Sequence, residues 1–553
     1  MTVENSIVQH ALTVYHDLST ATKATLAISI AFILYRLLFR HESTRRKELP
    51  AWGPIEMGLV MYLLDGARNG IVYRVYSAIR RYGGSFYGIS SANQTLIGYE
   101  DVDRLFSSQM NHALSIEWHG YGLFLRFFGF PDTPTLKKKV ESTFKPWHSP
   151  IERVFNNDAG ATAAFERGNL PKIVSEFVSF SQEKEKMKRW ELRADIKVIK
   201  QGEAVEANLS ALIMDFGACF TIPPIFGHDL LDRNPHLIED IWKFDHVVPL
   251  LFINMPTWAP FKVMKEGIEA RKRLLAGVEA FSRRVTQFQR GEKVDDGADI
   301  SDVSDVVLER NTALERNEWS YQERAASELL VLFASNTNTQ PVLFWLILYI
   351  YSTPGLVNTL RQEVAPFITL SDSHHDKKGI TAINTSGLSR ECQLLKSIIL
   401  ETLRLAFGAV STRFVKRPIT VQDGNHNHKL YPGTFLSVPH SFFQRDPSLY
   451  PDPHKFVPDR FLETDPSSGK LVAKYGKLRP WGAGASMCRG RVFAEKELMA
   501  IGAALVTLWD ISPVGGGEWT VPEMVGGPGP VKPKEEVRVV IKRRVFGGVS
   551  SSE

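Results

Sequence analysis

The densest chemistry in the sequence lies at Pro480 to Gly490, PWGAGASMCRG, where Gly482, Gly484 and Gly490 surround Cys488. A helical period, RVFAEKELMAIGAAL, follows at once. The positive end of such a helix favours thiolate over thiol, and a thiolate so placed can ligate iron. The small residues let the backbone approach something flat and bulky. The same stretch also reads as a buried cysteine in a Gly-rich turn, and the loop alone does not separate the two.

Two segments upstream carry paired charges. Glu401-Thr402-Leu403-Arg404 puts a carboxylate and a guanidinium three residues apart on one helix face, a spacing common among surface ion pairs. Here it sits inside an apolar stretch, LLKSIILETLRLAF, where buried charges need a hydrogen-bonded network. Tyr450-Pro451-Asp452-Pro453 then leads to Phe456-Val457-Pro458-Asp459-Arg460-Phe461, and Arg460 supplies a third member. A further segment, Glu328 to Tyr351, is a long apolar helix interrupted by the polar patch Ala334 to Gln340. Pro341 has no N–H, so the carbonyl of Thr337 loses its helical partner and the helix kinks, opening a polar notch. Alternatively, the Ser, Thr and Asn side chains of the patch bond back to the helix's own carbonyls.

Positioning these residues is the task of a mainly α body with a smaller β-rich part. Alternating apolar residues from Ser85 to Gly98 predict a hairpin, and helical periods dominate from there to about residue 407. From about residue 411 short strands with Pro and Gly punctuation take over, and Val537 to Ile541 is a tail strand. Gly291 to Asp305, acidic and without aromatics, predicts a mobile surface loop, as does Ser371 to Lys378. There is no internal repeat.

Composition narrows the class. With 44% hydrophobic and 23% charged residues, 40 Gly and 30 Pro in 553, collagen, coiled coil and wholesale disorder are excluded. A net charge of +5 over such a surface is too diffuse for a nucleic-acid binder. The three cysteines, Cys219, Cys392 and Cys488, share no CxxC spacing, which excludes a zinc ribbon and a disulfide scaffold. Near the start, the apolar run Ala24 to Phe39 is followed by Arg40, Arg45, Arg46 and Lys47. Extended over about residues 22–40, with Arg36 snorkelling, it makes a single membrane anchor of roughly 20 residues. Basic residues after the run place the bulk of the chain on the cytoplasmic side, and argue against a cleaved signal. The organisation expected is an anchor segment, 1–49, a stiff elbow at Pro50 to Pro54, and one catalytic body, 50–553.

From Pro50 onward the sequence resembles the cytochrome P450 family, on ETLR, FVPDRF and WGAGASMCRG in that order. The resemblance implies a cytochrome P450 fold with haem b (iron protoporphyrin IX), and makes Cys488 the axial ligand of the haem iron. It casts Glu401, Arg404 and Arg460 as a structural set on the proximal side. It also implies a monooxygenase fed with electrons from NADPH by NADPH-cytochrome P450 reductase. The setting implied is the endoplasmic reticulum membrane, and the substrate a lipophilic terpenoid, steroid or related secondary-metabolite scaffold.

Two departures stand out. The family's loop usually begins with Phe and carries Arg or His two residues before the cysteine; here these positions are Trp481 and Ser486. Another cation must then meet the haem propionate, and Arg413 is the candidate, with Trp481, Gly482 and Ala334 beside the haem. In the polar patch, where most of the family has an acid followed by Thr, the chain has Thr337 and Asn338, then Thr339. ASNTNTQP is similar to the branch of cholesterol and oxysterol 7-alpha-hydroxylases, sterol 12-alpha-hydroxylase and prostacyclin synthase, and to fungal biosynthetic relatives. That branch includes an isomerase that needs no reductase, and Asn cannot relay a proton as an acid does. Asn338, Thr339 and Thr337 are therefore expected at an oxygen site under two chemistries, monooxygenation or isomerisation/dehydration of a peroxide. A non-enzymatic haem sensor or carrier is the remaining alternative. Lys137, Lys138, Lys139 and Lys145 match the family's reductase-facing helix, and Phe333, Ala334, Trp118 and the loop Val525 to Pro530 are expected around the substrate.

Overall fold

The structure, a computed structural model, describes the strands Phe86–Ser90 and Asn93–Leu96, and residues 102–546 apart from 253–254, 372–377, 424–425, 485–486 and 526–528. The expected anchor and elbow, Ser486 and the centre of the loop 371–378 lie outside the described residues, as does the side chain of Trp118.

Helices that are largely apolar around their circumference must be buried, and the fold is built around three helices buried over most of their length. They are α3 (Leu209–Phe226), α8 (Thr339–Ser352) and α10 (Arg491–Leu508), with α9 (Gln393–Ala406) packed on α8 and α10. Trp345, fully buried on α8, finds its indole partner in the Val531 carbonyl at 2.8 Å. Amphipathic helices wrap this centre: α1 (Glu117–Phe127), α2 (Pro134–Phe155), α4 (Leu237–Phe252), α5 (Lys262–Gln289) and α6 (Asp305–Arg316). Between them runs α7 (Tyr321–Thr337), started by a capping box in which Ser320 and Glu323 satisfy each other's N–H groups. Its position is fixed by a buried pair, as Arg310 of α6 donates to Glu328 of α7 at 3.0 Å and to the Trp147 carbonyl of α2 at 2.6 Å. Among the described residues, α3 is long and apolar enough to cross a membrane, but 83% of it is buried inside the body, as in a core helix.

The β part forms two main sheets. One has the order β1 (Phe86–Ser90), β2 (Asn93–Leu96), β8 (Phe435–Pro439), β7 (Val410–Val415), β3 (Leu114–Ser115). The predicted hairpin is its edge, with Phe86 opposite Leu96, and β2 pairs with β8 in parallel. The other has the order β9 (Trp509–Pro513), β11 (Arg538–Arg543), β5 (Ala204–Asn208), β4 (Lys197–Ile199).

Two expectations are corrected. β4 and β5 interrupt the stretch read as helical; they are too short to register as a period, and exist because β11 returns to pair Val539 with Ala207. The acidic stretch 291–305 is not a free loop. Ile300 and Val303 are buried, Asp302 accepts the His228 N–H at 2.9 Å, and Ser304 donates to the Ile225 carbonyl at 2.6 Å. Two apolar residues among many acids were enough to pin it.

Candidate active site

The cysteine loop closes on itself. Cys488 N–H donates to the Trp481 carbonyl at 2.8 Å, and Gly482 N–H to the Arg479 carbonyl at 3.2 Å. Gly484 has a φ of +60°, and a Cβ there would stand 2.1 Å from the Phe106 carbonyl oxygen, so only glycine allows this approach. At Gly490 the same direction meets open space. Helix α10 begins at the next residue, with Arg491 donating to the Cys488 carbonyl at 3.0 Å. Arg489 reaches back to Glu152 of α2 at 2.7 Å. Of the three cysteines, Cys219 and Cys392 are buried, and burial pushes both thiols up to about 12. Cys488 is accessible. Surrounding protein pushes its thiol above the ordinary value, against the pull of the Gly490 N–H and of Arg491 and Arg489. The N–H groups at the start of α10 pull toward the thiolate as expected, against the desolvation of the loop.

The loop rests on β7 through a directed chain. Burial and nearby Arg479 lower His440 to about 4, and its neutral ring hydrogen-bonds the Ser411 hydroxyl at 2.8 Å. Ser411 in turn accepts the Ala483 N–H at 3.2 Å. Arg413, two residues along β7 and buried, lies 4.7 Å over the Phe106 ring and donates to the Thr412 carbonyl at 3.0 Å. It therefore stands beside the cysteine loop, since Phe106 touches both. Trp481, where Phe would have no donor, gives its indole N–H to Tyr475 at 2.9 Å. Tyr475 donates to Glu495, which Lys396 of α9 pairs at 3.1 Å.

Glu401, Arg404 and Arg460 come together in the interior. Arg404 donates to both Glu401 oxygens at 2.7 and 2.8 Å, Arg460 adds a bond at 3.0 Å, and the Val457 N–H adds another at 3.0 Å. Arg404 also ties down the Gln444 and Pro453 carbonyls, at 2.8 and 2.7 Å. Thus one carboxylate joins α9 to the irregular segment that precedes the cysteine loop.

The long apolar helix is broken between α7 and α8 at Asn338, three residues before Pro341, where the proline ring excludes the N–H that Thr337 needs. Ala334 is exposed although Leu332 and Asn336 beside it are buried, so the helix opens there onto space that side chains do not fill. Both expectations for the patch hold in part. Thr337 bonds back to the Phe333 carbonyl at 2.9 Å, and Asn338 gives its amide N–H to the Ala334 carbonyl at 3.0 Å. With one amide N–H engaged, Asn338 turns its Oδ1 toward Gly529 of β10 (Gly529–Pro530), where a Cβ would lie 3.6 Å away. β10 is brought there by pairing with β6 (Phe407–Gly408), which directly follows α9. Thr339 is buried and Phe333 half-buried.

These residues fit a haem. Among the described residues no group of three or more His, Cys, Asp or Glu side chains could hold a metal. A single accessible sulfur can then be an iron ligand only where a macrocycle supplies the others. The glycines, the exposed Ala334 and the buried cation Arg413 suit a flat, anionic group. The lysine cluster is partly engaged, with Lys139 paired to Glu323 at 2.9 Å and Lys138 and Lys145 exposed.

The cytochrome P450 family profile matches residues 198–535, more than half of the sequence. The chain belongs to the cytochrome P450 family. The curated relatives of this P450 include a cytochrome P450 monooxygenase, calL, of Penicillium decumbens, 28% identical over 58% of each chain. The 25-hydroxycholesterol 7-alpha-hydroxylase of Rattus norvegicus is 28% identical over 53% of this chain and 68% of its own. The chain spans little more than half the length of the first of these. A cyanobacterial P450 solved with retinoic acid bound, CYP120A1, shares the fold at a TM-score of 0.58 and 18% identity, over 85% of this chain and 94% of its own. Sequence reading missed Ser411, His440 and Tyr475; none lies in a motif, and each is placed by contacts that only the fold makes.

Proposed function

We propose that the protein is a haem-thiolate monooxygenase that inserts one oxygen atom of O2 into a lipophilic terpenoid, steroid or related scaffold, with electrons from NADPH through a reductase. The observation that carries this reading is the accessible Cys488 at the start of α10, the one cysteine of the three not sealed in the core. When bound, a haem ligated by thiolate supplies dioxygen activation, the thiolate favouring O–O cleavage. The chain's own residues do the rest. Gly482, Gly484 and Gly490 let backbone approach the haem face, Arg413 meets a propionate, and the Glu401–Arg404–Arg460 set holds the proximal segment. Ala334 leaves room, while Asn338, with Thr337 and Thr339 beside it, offers an oxygen that can hold a water or a substrate hydroxyl but cannot give up a proton.

A membrane setting suits the surface between α4 and α5, where Trp258 is 81% exposed and Phe261 49%, next to Lys262 and Lys265. Large apolar side chains so placed mark an interaction site, and an anionic lipid surface suits the lysines. Exposed Lys138 and Lys145 suit an acidic reductase face, so added salt slows reduction. Product analysis under isotope-labelled dioxygen, with reductase, NADPH and a panel of terpenoids and steroids, tests the reading. NADPH-dependent label in the product supports it, with Cys488→Ala losing the thiolate-type carbon monoxide spectrum. Unlabelled product formed without NADPH supports peroxide isomerisation, which Asn338, unable to relay a proton as an acid does, favours.

A further inference from the structure

Three helices meet at a buried polar cluster that, among the described residues, contains no cation. Glu497 of α10, Thr221 of α3 and Gln340 of α8 are each no more than 1% exposed. Gln340 donates its amide N–H to Thr221 at 2.8 Å, and Thr221 bonds to Glu497 and to the Gly217 carbonyl at 2.8 Å. The Gln340 amide lies so close against α3 that a Cβ on Gly217 would stand 1.8 Å from its Oε1. Gln340 is two residues past the helix break at Asn338 and one before Pro341. Whatever holds Gln340 therefore holds the break.

A donor and acceptor count shows what the cluster needs. Thr221 carries one hydroxyl proton and the Gly217 carbonyl can only accept it, so a carboxylate at Glu497, which also only accepts, would face Thr221 Oγ with no proton left between them. A carboxylic acid at Glu497 supplies one more O–H. Charged groups on the surrounding elements are engaged elsewhere. Asp215 pairs with Arg193, Arg167 donates to the Pro224 carbonyl, and Glu495 takes Lys396 and Tyr475. Arg361 pairs with Asp510, Glu363 accepts the Leu394 and Leu395 N–H groups, Glu401 holds Arg404, Lys496 has a partner of its own, and Glu391 faces solvent. Burial accordingly raises Glu497 to about 8, with Thr221 and Gln340 pulling it down only in part.

We infer that Glu497 is a positioning residue of the distal patch: carrying its proton, it clamps Gln340 through Thr221 and so fixes the break that presents Asn338. Loss of that proton leaves an uncompensated charge between three helices and releases the clamp. The inference rests on the haem-thiolate reading and is tested on the full-length haem protein by its ferric absorption spectrum, which reports water at the iron without turnover. The wild type is expected to shift its spectrum with a midpoint near pH 8. Glu497→Gln, whose amide both donates and accepts, is expected to keep the low-pH spectrum from pH 6 to 9. Thr221→Val, which removes the link without a change of shape, is expected to show the released spectrum at every pH. A Glu497→Gln variant that titrates as the wild type does, or a Thr221→Val variant indistinguishable from it, overturns the inference. A wild type without the thiolate-type carbon monoxide spectrum overturns instead the reading on which it rests.

Discussion

Replacing Glu401 by Gln changes one atom and leaves two buried guanidiniums without their counter-charge. Arg404 has no side-chain exposure and Arg460 only 9%, and four donors converge on the carboxylate, from Arg404 Nε and Nη2, Arg460 Nε and Val457 N. The amide keeps one oxygen acceptor but turns an NH2 toward a guanidinium. Breaking a buried pair by removing one partner costs about 3–5 kcal/mol, against a total stability of about 5–15 kcal/mol. A folded body of roughly 450 residues has an unfolding entropy near 1 kcal/mol/K at about 2.1 cal/mol/K per residue, so the expected fall in Tm is only about 3–5 °C. Urea unfolding is the sharper assay, read as a fall in midpoint at unchanged slope. The exposed pair Lys262–Glu266, 3.7 Å apart, is the control, with Glu266→Gln changing stability by less than about 1 kcal/mol. A Glu401→Gln variant within about 1 kcal/mol of wild type would refute the claim that this network holds the proximal segment.

Gly484→Ala combines a left-handed backbone with a Cβ 2.1 Å from the Phe106 carbonyl oxygen. It should lose about 1–3 kcal/mol or more and load haem poorly, measured by urea unfolding and by haem content. Pro341→Ala restores the donor that the Thr337 carbonyl lacks and should join α7 to α8; Tm is expected to hold or rise while NADPH oxidation uncouples from product. His148 and His440 are both lowered to about 4, chiefly by burial, so each contributes stability that is present above its unfolded value near 6.5 and lost as pH falls toward 4. His440→Gln should make the acid side of a Tm against pH curve shallower. Glu497 acts with the opposite sign: raised above its unfolded value, it contributes stability that is full below about pH 4.5 and lost as pH rises through about 8, a few kcal/mol at most.

Legibility followed the range of the cause. Pro341 acts on Thr337 four residues away, and the break lies between α7 and α8 as that geometry requires. Glu401 and Arg404 share a helix face, so their pairing was visible, and the apolar sequence around them already pointed to burial. What the sequence hid has long reach. β5 forms only because β11, more than 300 residues later, offers Val539 to Ala207, and five residues leave no period to read. Ser411 and His440 look like ordinary strand-end residues until the cysteine loop lays Ala483 on them. The lysine cluster looked like one face, but Glu323, needed to cap α7, also takes Lys139.

The acids Glu401, Glu495 and Glu497 sit on two adjacent helices in opposite surroundings. Glu401 on α9 meets two guanidiniums and a backbone N–H, so ionisation is compensated where it stands. Glu495 on α10 meets Lys396 and a tyrosine hydroxyl, and it lies nearer the surface. Glu497, two residues on, points the other way around the helix into a cluster of neutral groups, where a charge has no counterpart. Glu401 and Glu495 each face a cation. Only the third, on the side of the helix break, can let go in the range where a cell operates. The segment before the cysteine loop is held by paired charges, and on the proposed reading adjustability is confined to the cluster beside the helix break at Asn338.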